Sequence, residues 1–167
     1  MGARHFALSC TAALLVACSS MSTIQSPNPG TTLELEDKPL PLPATTRVGH
    51  TTFGHYFFRV TEAAKPSVPP FYGILPLALH KGRLVTGIVF TSPIMLLTNL
   101  RGAFKFYEVD AGRRTIRYRD GADDAWVEYQ VKPEEEARAR AWFDERAKAK
   151  AAEAVEAAEA AKDATTP

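Results

Sequence analysis

The side chains able to do chemistry are few and scattered. The chain has two cysteines, Cys10 and Cys18. A thiol can act as a nucleophile, a metal ligand or half of a disulfide. His50 and His55 are an odd number of residues apart, so a strand puts them on opposite faces and a helix sets them roughly 140° apart. Neither arrangement makes the convergent ligand set that a metal needs, and His80 stands far along the chain. "DGADD", from Asp120 to Asp124, offers three carboxylates but not the Asp-x-Asp-x-Asp-Gly order and trailing glutamate of a calcium loop. It reads as a turn. The chain contains no Gly-x-Ser-x-Gly, no phosphate-cradling glycine loop and no His-Glu-x-x-His. The expectation is a protein that is not an enzyme and uses no cofactor or metal.

The first residues account for both cysteines. Arg4 supplies a positive start, Phe6 to Val16 an apolar stretch, and small residues precede Cys18. The apolar stretch is too short to cross a bilayer as a helix, which takes roughly 20 residues. Leu15-Val16-Ala17-Cys18 resembles the lipobox of bacterial lipoproteins. The resemblance implies cleavage before Cys18, a diacylglyceryl thioether on its sulfur and acylation of its new amino group. Cys10 would leave with the signal, so the mature chain would hold no free thiol and no disulfide, and its core alone would stabilise it. Several acyl chains on one residue exceed the two signals that stable anchoring requires. Ser19 stands where an aspartate marks inner-membrane retention in such lipoproteins, so the resemblance implies the periplasmic face of the outer membrane.

Composition narrows the rest. Apolar residues make up 46% of the chain and charged ones 23%, enough for a packed core. Twenty basic side chains meet 19 acidic ones, which gives no electrostatic case for nucleic acid. Residues 18–30 are rich in Ser, Pro and Asn and read as a flexible tether behind the anchor.

The elements that follow read mostly as strands. "TTLELE" from residue 31 alternates, and Asp37-Lys38 ahead of Pro39 makes a turn. Residues 40–47 are extended, with prolines that suit an edge. "HTTFGHYFFRVTE", residues 50–62, is the strongest strand, with Phe53, His55 and Phe57 on one face and Tyr56, Phe58 and Val60 on the other. Both faces are apolar, so a central position with a covered second side is expected. Leu84 to Leu100 carries no charge. It reads as a strand at 84–90 and a short helix at 93–101, begun by Ser92-Pro93. That segment is the expected cover for the second face, with an interfacial helix on the bilayer as the alternative. Residues 104–119 read as a hairpin and 125–131 as a last strand.

From Pro133 the chain turns rich in Ala, Glu, Lys and Arg, with three glutamates in the first turn, as a helix N-terminus favours. Trp142 and Phe143 are its only large apolar residues before Val155. They are candidate partner contacts, though docking the helix to the body is the simpler use. Past about Lys148 nothing forms a buried stripe. Tyr56, Phe57, Phe58, Phe71, Tyr72, Phe104, Phe106 and Tyr107 read mostly as core, with a glycan or small-ligand platform as the alternative.

"TIQSPNPGTTLELEDKPL" resembles the opening of PEGA-type modules, small β units of surface and envelope proteins. Ser26, Pro27, Gly30 and Leu33 to Leu35 carry the likeness, which extends over residues 24–62. Lys38 stands where the modules have a glycine, and Leu42-Pro43 where they have Thr-Pro. The resemblance implies a non-catalytic β module.

The whole reads as an α+β protein. A cleaved signal at 1–17 and a lipidated tether at 18–30 precede a mostly antiparallel β domain at 31–131 with an embedded apolar helix. A charged Ala-rich helix at 132–162 and a disordered tail at 163–167 complete it. The expected function is a lipid-anchored envelope component that recruits a protein partner through its C-terminal helix. A lipid-handling module using residues 84–100 is the second reading.

Overall fold

The computed structural model describes residues 19–51, 53–79 and 101–163, with side chains to residue 158. The fold is α+β: two β-sheets face each other and one long helix lies on the outside of the second. The expected helix at 93–101 falls outside the described residues, except that Arg101 opens a strand.

The first sheet holds β1 (Ser19–Gln25), β4 (Ala44–Gly49), β9 (Phe106–Asp110), β10 (Thr115–Arg119) and β11 (Val127–Gln130), in the order β11-β10-β9-β1-β4. The second holds β2 (Thr31–Leu35), β3 (Lys38–Pro41), β5 (Phe57–Glu62) and β6 (Phe71–Ile74), in the order β3-β2-β5-β6. A short pair, β7 (Leu77–Leu79) and β8 (Arg101–Ala103), stands beside them. Every pairing is antiparallel except β1 with β9.

Alternation decides which side chains meet between the sheets. In β1, Ser22 and Ile24 point inward and are fully buried, and Met21 and Gln25 face out. Leu33, Phe58, Val60 and Phe71 from one sheet meet Ile24, Val48, Tyr107, Val109 and Ile116 from the other. Phe58 and Phe71 meet edge to face with ring centroids 5.3 Å apart. Gly73 permits that packing, because a Cβ there would lie 2.5 Å from Phe58 Cζ. β3 carries Pro39 and Pro41 on an outer strand, where a missing N–H costs no ladder bond.

Two expectations change here. Residues 19–25 are not a tether: they form a strand hydrogen-bonded on both sides, with Ser19 opposite Gly49 and Thr23 opposite Phe106. The Ser-rich composition concealed it, because Ser20 and Ser22 bond to the carbonyls of Ala103 and Phe104 and so fit the interior face. The β domain therefore begins at residue 19, not 31. The second change concerns the outer face of β5, which α1 (Pro133–Asp163) covers. Strand β5 itself starts at Phe57, and residues 53–56 precede it as irregular chain.

The helix docks through one turn. Ala139 is fully buried, Phe143 is 5% exposed against Tyr72, and Trp142 stacks on Phe57 at 5.5 Å. That i, i+3, i+4 set is the shortest apolar stripe able to hold a helix to a surface. Trp142 and Phe143 are thus engaged by the body, and the partner contact expected of them is corrected accordingly. Arg59 and Arg140 lie over the Phe143 and Tyr72 rings at 5.2 and 5.0 Å. Their stems extend the contact while their charges stay wet.

Candidate functional site

The strands fix a single end of the sandwich at which the chain leaves and re-enters the body. β1 runs away from Ser19, and β4 returns to place Gly49 opposite it. The Tyr56 hydroxyl donates to the Gly49 carbonyl at 3.0 Å. Thr51 and Arg101 exchange both backbone hydrogen bonds, each at 2.8 Å. β7 and β8 pair with Leu79 opposite Arg101, so residues 80–100 depart and return at this point. Ser19, Gly49, Thr51, Leu79 and Arg101 therefore share one end. The turn at 26–30, the loop at 63–70 and the hairpin at 111–114 form the other.

Cys18 lies outside the described residues, but it directly precedes Ser19, which is already paired in the sheet. Any group on Cys18 is thus carried at this end with no spacer. Among the described residues, six large hydrophobic side chains are exposed, and three of them stand here: Phe53 at 76%, Leu79 at 53% and Met21 at 53%. Arg47, exposed, is opposite Met21 across β1 and β4.

The base of the departure at residues 80–100 is clamped from within. Tyr107 is fully buried, and its hydroxyl donates to the Pro76 carbonyl at 2.7 Å and accepts from the Phe104 N–H at 2.9 Å. Burial holds the phenol above the ordinary tyrosine range. Nothing in the strand pattern singles Tyr107 out from the other aromatics; only the two backbone groups it satisfies do so.

The helix reaches the same end from the opposite one. Glu136 pairs with Arg114 beside the 111–114 hairpin, and Arg146 and Lys150 both pair with Asp37 in the β2–β3 turn. Lys150 Nζ lies 2.7 Å from the carboxylate and Arg146 Nε 3.1 Å. Bonds from Lys150 and then Arg146 hold the Asp37 carboxyl below its usual range. Neighbouring Glu36 is pushed up, first by burial and then by Asp37. Beyond Lys150 every side chain through residue 158 is exposed, Val155 included.

The other candidates do not converge. His50 and His55 lie in the irregular stretch before β5, the His55 ring 6.2 Å from Phe57, and His80 falls outside the described residues. Residues 120–124 form a turn closed by the Gly121 N–H donating to Asp124 at 2.6 Å. Among the described residues no three His, Cys, Asp or Glu side chains are grouped to hold a metal ion. Of the aromatics, Phe58, Phe71, Tyr72 and Tyr107 are buried. The remaining four are half-buried and engaged: Phe104 stacks on Tyr118 at 4.2 Å, Phe106 lies under Arg119, Phe57 meets Trp142 and Tyr56 bonds Gly49. They do not form a common platform.

No helix among the described residues is long and apolar enough to cross a membrane. The sequence matches no protein-family model, no curated protein and no solved structure.

Proposed function

We propose that this is a non-enzymatic, lipid-anchored component of the cell envelope. Acylated Cys18 holds it at the periplasmic face of the outer membrane, and its C-terminal helix engages a protein partner. The observation that carries the reading is the junction at residues 18 and 19. A lipobox-like Leu15-Val16-Ala17-Cys18 runs straight into a strand that begins at Ser19. Acyl chains there would fasten the folded body at the bilayer rather than trail it on a leash. The helix supports the recruiting role because its exposed stretch from residue 151 to residue 158 has no contact surface of its own on the body.

The test is the full chain with Cys18→Ser, exported on a leader of ordinary secretory type. Wild-type protein is expected in the membrane fraction after salt washing, released only by detergent. The variant is expected in the soluble periplasmic fraction, since a few interfacial side chains without acyl chains bind only reversibly. A variant that still requires detergent contradicts anchoring through Cys18 and favours insertion through residues 84–100.

A further inference from the structure

We propose that the Ser19 end is a seat for the lipid bilayer itself: Phe53 and Leu79 enter the headgroup region while Arg47 and Arg101 meet lipid phosphates. The inference rests on the lipid-anchor reading and deepens it, from where the protein is attached to how its body is turned.

Four observations meet at this end. The chain running to Cys18 leaves the sheet here without a spacer, so acyl chains on that residue would bring the rim to the membrane surface. Phe53 and Leu79 are two of the most exposed large apolar side chains of the described residues, at 76% and 53%. Exposed aromatic and aliphatic groups at a lipid interface gain what they lack in water. The 21 residues between Leu79 and Arg101 also leave and return here, and Leu84 to Leu100 among them carries no charged side chain.

Basic and acidic side chains both stand at this end. Arg101 is the residue at which the chain returns, and Arg47 is two residues from the end of β4. The acidic groups at this end are Glu36 and Asp37 of the β2–β3 turn, Glu36 close enough to act on Tyr56, and the 120–124 turn, which leaves β10 beyond Arg119, two strands away from β1. Asp37 is neutralised by Arg146 and Lys150. A bilayer is favoured over a protein surface because the exposed apolar tips stand where the chain leaves for the acyl anchor.

Full-length lipoprotein carrying Phe53→Cys, Leu79→Cys or Val68→Cys tests this in vesicles of phosphatidylethanolamine and phosphatidylglycerol. Each thiol bears a nitrobenzoxadiazole label, read against iodide in the water and against doxyl groups on the lipid chains. Val68, 51% exposed in the loop at the opposite end, is the matched control. Labels at 53 and 79 are expected to be quenched by doxyl lipid roughly fivefold more than the label at 68, for a seating depth of ~5–10 Å. Equal doxyl quenching at all three positions overturns the inference. Protection from iodide at 53 and 79 without doxyl quenching also overturns it, because the chain itself then covers them. The unsubstituted protein separates the two claims. If it floats with vesicles and takes no label, the anchor stands whatever the three variants do; if it labels at Cys18 or fails to float, both claims fall.

Discussion

Replacing Phe143 with alanine is expected to destabilise the protein by about 3–5 kcal/mol, the usual loss for emptying a buried aromatic site. The ring is 5% exposed, tilted against Tyr72 at 5.8 Å and perpendicular to Trp142 at 4.9 Å, with the Arg59 guanidinium 5.2 Å from its centre. A helix with a broad apolar stripe shares such a loss among several turns. This one has only Ala139 and Trp142 besides, so its attachment to the second sheet rests on one turn. The ion pairs at Arg114 and Asp37 are partly exposed and cannot substitute, since solvent screens them. The helix itself should survive, because its Ala-rich sequence and i, i+4 pairs such as Glu136–Arg140 favour helix without packing. The expected result in urea is a lower midpoint and red-shifted Trp142 emission, with far-ultraviolet helicity largely kept before unfolding. A loss below about 1 kcal/mol would mean that the helix is not held where Phe143 places it.

Tyr107→Phe is expected to cost about 2–4 kcal/mol, although it removes a single oxygen. That oxygen satisfies two backbone groups, the Phe104 N–H and the Pro76 carbonyl, in the interior of the Ser19 end. Removing it leaves both without that partner, and each unsatisfied buried group costs roughly 1–3 kcal/mol. The same hydroxyl gives the change a pH signature. Burial raises the folded-state pKa of Tyr107 above the unfolded value near 10. Its contribution is therefore complete below pH 10 and is lost as pH rises through the folded-state value. The stability gap between wild type and Tyr107→Phe should be constant at neutral pH and narrow in strong alkali. A variant within about 0.5 kcal/mol of wild type would show that water replaces the hydroxyl at both partners.

The fold was most legible where side-chain periodicity met turn chemistry. The run from Thr31 to Leu35, the turn at Asp37, the hairpin around Ala111 to Arg114 and the helix from Pro133 all stand where alternation, glycine and the acidic first turn put them. The strand at Ser19–Gln25 was concealed because its inward Ser22 is small and polar, so composition looked like linker. Its interior fit depends on the Phe104 carbonyl 82 residues away, which no local pattern reports. The cover of β5 was missed for a similar reason. Three residues, Ala139, Trp142 and Phe143, suffice to dock the helix, and the longer apolar run at 84–100 offered a stronger local signal. Of the candidate site, Cys18 rests on its sequence neighbours alone and lies outside the described residues. Phe53 and Leu79 were not legible, because their meaning lies in β7, β8 and β1 ending together.

The account depends most on the chemical state of Cys18, and a mass measurement of the N-terminal peptide of membrane-extracted protein reads it directly. The predicted result is a chain that begins at Cys18, with a diacylglyceryl thioether on its sulfur and an acyl group on its amine. A chain that retains residues before Cys18, or one that carries an unmodified cysteine there, would contradict the account.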